Sequence, residues 1–180
     1  MLNLVDSIEF SHLIWVIPVV QLIHELEEWN ILKWYKENYV DLPDSTNLSV
    51  RVWILFFSLS VYVWTTLCFF IPDRVISAIL VSLLIMITTQ NGLQHLYWLF
   101  YFKKYAPGVV SFVILLIPLN TYVVYRILKQ EFLPFWLLII IMALMIPGLI
   151  ETIRARNRMT KIVRVVVHEY PIKLIRTFSD

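Results

Sequence analysis

The chain has 180 residues, 59% of them hydrophobic and 15% aromatic, with only 3 glycines and a formal net charge of +2. A mean hydropathy of +0.74 and several apolar runs of about 18 or more residues exclude a soluble globular domain and predict an all-α, polytopic transmembrane helical bundle. The single cysteine, Cys68, excludes an internal disulfide and reads as a small buried hydrophobe.

Five spans are expected. The first runs from about Ile8 to Tyr35 and is interrupted by the polar stretch QLIHELEEWN, residues 21–30. The second, about Val50 to Ile71, is stopped by Pro72. The third starts at Asp73, a helix-capping residue, and ends near Phe102. The fourth opens at Pro107-Gly108 and runs to about Leu128, with Pro118 as an internal kink. The fifth covers about Leu133 to Thr152, with Pro147-Gly148 near its end. Glu37 to Asn47 is the one long polar connection. Residues 1–155 thus read as the transmembrane domain and 156–180 as a basic tail carrying Arg156, Arg158, Lys161, Arg164, Lys173 and Arg176.

Charge asymmetry orients the bundle. With the N-terminus out and the C-terminus in, the cytoplasmic side collects Lys33, Lys36, Arg51, Lys103, Lys104, Arg154 and the tail, leaving only Arg74, Arg126 and Lys129 outside. A basic segment directly after a hydrophobic helix marks the cytoplasmic face and contacts anionic membrane lipids, so no nucleic-acid partner is expected. Asp6 and Glu9 replace the basic start of a cleavable signal peptide, and none is expected.

The polar stretch in the first span carries the chemistry. An ionisable side chain near a bilayer centre costs roughly 2.5–3.5 kcal/mol on insertion scales, so such residues mark either an interface or a site. On a helix His24, Glu27 and Glu28 share a face, with Gln21 one turn earlier, while Glu25 is expected to point elsewhere. In the third span Asn91 and His95 stand four apart, with Thr88 in line. Both histidines fall at similar depth, and Glu151 in the fifth span lies near the same level. Two imidazoles and up to three carboxylates suit a divalent metal, Zn or Fe, whose charge offsets the burial of the anions. His24, Glu27, Glu28 and His95 are the candidate ligands. Glu27 and Glu28 are also candidate general bases, and Asn91, Glu151 and Gln21 candidate substrate-binding or ligand-orienting groups.

Blander readings stand beside these. HELEEW could be the interfacial end of a short helix, with Trp29 and Trp34 as belt residues, and His95 beside Tyr97 and Trp98 could be an interfacial histidine. His12 is assigned a structural role and His168-Glu169 a solvated or interfacial one.

HELEE (His24 to Glu28) matches the His-x-x-Glu-Glu signature of the HXXEE family, small integral membrane proteins found mostly in bacteria. NGLQH (Asn91 to His95) resembles that family's Asn-x-x-x-His motif, and APGVVS (Ala106 to Ser111) its Pro-Gly turn, within a match spanning roughly residues 10 to 155. The resemblance implies a bacterial membrane location and a role for the motif residues, and supplies no reaction. The expectation is therefore a metal-dependent enzyme in the bacterial cytoplasmic membrane acting on a lipid-like or other hydrophobic small molecule, with hydrolysis first and iron-dependent oxidation second. An ion- or proton-coupled transporter and a haem-binding anchor are the alternatives.

Overall fold

In a computed structural model that describes residues 8–179, the regular structure is all helical, with no strand among those residues. Asp6 and the chain ends at Met1 and Asp180, on which the leader and segment-boundary expectations partly rest, lie outside the described residues. The first segment comprises α1 (Phe10–Leu13), α2 (Val16–Glu27) and α3 (Ile31–Asn38). Four longer helices follow: α4 (Asn47–Phe70), α5 (Arg74–Phe102), α6 (Val109–Lys129) and α7 (Phe135–Ala155). A last helix, α8, occupies residues 161–179. Helices α4 to α7 are each long and apolar enough to cross a membrane. Together with lipid-type residues exposed along α4, such as Leu55, Phe56, Leu59 and Leu67, they make this an integral membrane protein.

The first segment departs from the single interrupted helix expected, and the reason is local. Pro18 has no N–H to give the carbonyl of Ile14, which instead accepts from Ile17 at 3.1 Å, and the helix breaks between α1 and α2. A second break, at Glu28 to Asn30, ends α2 at the polar stretch. Pro147 acts alike in α7. The chain tightens at Leu144 and Met145, whose N–H groups reach back only to Ile141 and Met142. In α6, Pro118 follows a π turn over Phe112–Leu116 rather than a simple kink. Asp73 caps α5 as expected, its Oδ1 accepting from the N–H groups of Val75 and Ile76 at 2.9 and 3.0 Å. Thr46 and Ser49 cap α4 reciprocally.

Two apolar clusters bracket the middle of the bundle. One packs α1, α2, α4, α5, α6 and α7 around Ile17, Val61, Leu84, Ile85 and Val123. The other is largely aromatic, built on Trp34, Tyr35, Tyr39 and Trp98, with Trp34 and Trp98 rings 5.1 Å apart. Between them Gly92 lets α5 and α6 approach closely. A Cβ there would stand 1.8 Å from the fully buried Phe112 ring. That contact draws the start of α6 over the stretch of α5 holding Asn91 and His95.

The residues after Ala155 fold back onto the 39–47 connection. Val40 N–H donates to the Asn157 carbonyl at 3.1 Å. Asp41 accepts from the Met159 amide at 2.9 Å and pairs with Arg164 at 2.7 Å. Ser45 Oγ lies 2.7 Å from Nδ1 of His168. His168, assigned a solvated or interfacial role from the sequence, is fully buried with its ring against Tyr35. The signal for this docking was present in the apolar positions Val163, Val166 and Val167, one helical face of α8.

Burial, reinforced by the Arg164 charge, pushes His168 down to about 4. Slight burial of Asp41 works the other way, but the Met159 amide and the Arg164 guanidinium hold its carboxyl below the usual range. Both folded values are depressed, so both groups support docking above the ordinary histidine range of about 6.5. That support is lost as pH falls toward about 4, first by charging His168 and then by protonating Asp41. Protection from hydrogen exchange across 161–179, taken relative to the intrinsic rate at each pH, is expected to be high at pH 7.5, lower at pH 5, and low at both in Arg164→Ala. A tail equally protected at both values would contradict this.

Candidate functional site

Helix α2 ends where its ligands are needed. Its last turn carries His24, and Glu28 caps its C-terminus. The four-residue spacing puts both side chains on the side facing α5, where His95 is four residues past Asn91. His24, Glu28 and His95 are 0%, 7% and 1% exposed, so all three are removed from water. Glu28 Oε1 lies 3.1 Å from His24 Nε2 and 3.0 Å from His95 Nε2. The two imidazole rings meet edge to face, centroids 5.3 Å apart. One ligand atom from each residue lies within 4.8 Å of the others.

These separations carry chemical information. Two nitrogen or oxygen atoms each about 2.1 Å from one ion stand roughly 2.9–3.4 Å apart in octahedral or tetrahedral geometry. The contacts to Glu28 Oε1 fall in that interval, and they are equally the distances of ion pairs to a protonated imidazole. His95 Nδ1 is buried and unpartnered among the described residues. Buried polar atoms are rarely left so, and an unmet buried group costs about 1–3 kcal/mol. The donor set fits a divalent cation: two imidazoles and one carboxylate suit zinc or iron.

The other expected residues are distributed around this cluster. Asn91 Nδ2 lies 3.2 Å from His24 Nε2. Gln21, fully buried, donates to Glu25 Oε1 at 2.7 Å. Glu27 shares the motif but faces the start of α6, where Tyr105 Oη, Ser111 Oγ and the N–H groups of Val110 and Ser111 donate to its carboxylate. Ser111 Oγ is also 2.9 Å from His24 Nδ1. Glu151 is half-buried on α7 and is not one of the three converging residues. Glu25, expected to point away, is 2% exposed. It lines a cavity of about 230 Å³ together with Glu28 and His95. Its three-residue spacing from Glu28 and four-residue spacing from Gln21 were the signals for this.

The cavity is apolar over most of its wall, with Trp53, Phe57 and Ile87 among its lining residues. Gln90 and Gln94, one turn apart on α5, add amides that the sequence reading passed over, and Val163, Val166 and Val167 of α8 close one side. Pocket and cluster therefore share a wall formed by Glu28 and His95. Gly108 covers the cluster from the α6 side at φ +94°. A Cβ there would come within 2.9 Å of Glu28 Oε1 and 3.0 Å of His95 Nδ1. Gly108→Ala is therefore expected to destabilise the protein by about 1–3 kcal/mol through backbone strain alone, and further through crowding. Thermal melts in detergent should show a large drop for Gly108→Ala and little change for the exposed Val110→Ala. Equal melting temperatures would contradict this packing.

The stretches HELEE, NGLQH and APGVVS thus meet at one place: His24, Glu27 and Glu28 from the first, Asn91 and His95 from the second, Gly108 and Ser111 from the third. Comparison with curated proteins and with solved structures returns no match. A family sequence model does match, over residues 15–123. The chain belongs to the family described as proteins of unknown function with the HXXEE motif.

Proposed function

We propose that the protein is a membrane-embedded metal-dependent enzyme, a hydrolase, acting on a lipid-like or similarly hydrophobic substrate. One observation carries the reading: three buried ligand atoms from two helices converge beside a largely apolar cavity, whose wall two of the three residues, Glu28 and His95, help to form. His24, Glu28 and His95 would hold the ion. A divalent ion there supplies Lewis acidity toward a carbonyl oxygen and an acidified water. The cavity wall around Phe57 and Ile87 takes the apolar part of the substrate, while Gln90 and Gln94 offer amide hydrogen bonds to its polar end. Glu25 is the carboxylate beside that space and serves as the proton-transfer group. Glu27, occupied by four donors at the start of α6, has a supporting role. Access is lateral, between α4, α5 and α8, whose residues line the cavity.

We further propose a bacterial cytoplasmic membrane, as the resemblance of the motifs implies, with the N-terminus out and the C-terminus in from the distribution of Lys and Arg, an orientation in which the α1 to α3 segment makes a fifth crossing beside α4 to α7. A reporter fused after Asp180 should read cytoplasmic, and a periplasmic signal would reverse the orientation.

Purified protein should carry zinc or iron near one ion per chain. His95→Ala should bring the metal below stoichiometry, and Glu151→Gln should leave it unchanged. Glu25→Gln should keep the metal while hydrolysis of long-chain acyl esters falls by about 10²–10⁴-fold, the range for loss of a positioned acid–base group. Wild-type protein without metal would remove the proposal, as would equal metal in all variants.

A further inference from the structure

We infer that Ser111, held by Glu27, fixes the tautomer of His24 and so turns the Nε2 lone pair of that ring toward Glu28 and His95. The hydroxyl of Ser111 has one proton and three neighbours that could take it. Glu27 Oε2 lies 2.5 Å away, the Gly108 carbonyl 3.2 Å and His24 Nδ1 2.9 Å. An ionised carboxylate is an acceptor only, and hydrogen bonds to it are about twice as strong as those between neutral groups. Glu27 is fixed in place for this role by Tyr105 Oη and the Val110 and Ser111 amides. It lies at the N-terminal end of α6, where unpaired N–H groups favour a negative charge. The Ser111 proton therefore goes to Glu27. Were it to turn to Gly108 instead, the consequence for His24 would be the same: Ser111 would still present only a lone pair to Nδ1.

A lone pair facing Nδ1 at 2.9 Å requires the proton to be on that nitrogen. In neutral imidazole Nε2 is then bare. One further contact agrees: Asn91 Nδ2, a donor, lies 3.2 Å from Nε2. Glu28 Oε1 stands 3.1 Å from the same nitrogen, a separation at which a carboxylate and a bare nitrogen repel each other until a cation lies between them. His95 has no such device, because its Nδ1 is buried without a partner among the described residues. The two histidines are therefore unequal: His24 is preset, while the orientation of His95 follows from its packing on Trp98, ring centroids 4.8 Å apart. Ser111 and Glu27 are positioning residues and touch neither the cavity nor the place of an ion.

The tautomer assignment stands on these contacts alone, and its effect on metal affinity rests on the metal-centre reading above. The test uses the full chain in detergent, labelled with ¹⁵N-histidine and stripped with a chelator, followed by zinc titration. Long-range ¹⁵N–¹H spectra should show wild-type His24 as a neutral ring protonated on Nδ1. Ser111→Ala should shift the ring toward the Nε2–H form and weaken zinc binding by about 10–100-fold, the usual effect of losing a group that orients a ligand. Ser111→Thr, which keeps the hydroxyl, should restore both. An Nε2–H or doubly protonated His24 in the wild-type protein overturns the inference, and because that spectrum needs no variant, the test survives a Ser111→Ala chain that fails to fold. An unchanged tautomer in Ser111→Ala overturns it too. Wild-type protein with the Nδ1–H tautomer and no zinc affinity would defeat the metal-centre reading and leave the assignment in place.

Discussion

Glu28 brings a carboxylate to a place 7% open to solvent, between two imidazoles that are essentially closed to it. An isolated carboxylate cannot be carried into such a medium without a compensating charge or proton, because the penalty reaches several kilocalories per mole even after relaxation. Much of the bundle is arranged around meeting that requirement. Helix α2 stops at Glu28, so the carboxylate sits at a break rather than inside a regular turn. Gly92 removes a side chain from α5 where Phe112 must lie, and Gly108 removes another where the cluster is covered.

The two adjacent glutamates of the motif sit in different surroundings. Glu27 receives four donors at the start of α6, where Ser111 also ties it to His24. Glu28 Oε1 and His95 Nδ1, both beneath Gly108, are without hydrogen-bond partners among the described residues, and Glu25 on the cavity wall has Gln21. Saturated networks rigidify, and unsaturated buried groups mark the places where something else is bound.

The spacing of HELEE and NGLQH made the central pairings legible, because His24 to Glu28 and Asn91 to His95 are each one helical step apart. The membrane-type helices were legible from hydropathy, although the first segment proved to be broken rather than continuous. Contacts between distant residues were not. Glu27 and Ser111 are 84 positions apart, and nothing in the motif tells its two glutamates from each other. Glu25 was misplaced by judging its angle from His24 alone, when its steps from Gln21 and Glu28 put it on the cavity side. The segment after Ala155 looked like a basic tail because its charge is conspicuous, whereas Val163, Val166 and Val167 decide where it packs.

The central claim is that one ion joins His24, Glu28 and His95. X-ray absorption at the edge of the metal that co-purifies with the full-length chain addresses it most directly. The account predicts a first shell of nitrogen and oxygen at about 2.0–2.2 Å, with the outer-shell scattering of two imidazoles that falls to one in His95→Ala. A shell containing sulfur, or one of oxygen alone with no imidazole scattering, would contradict it.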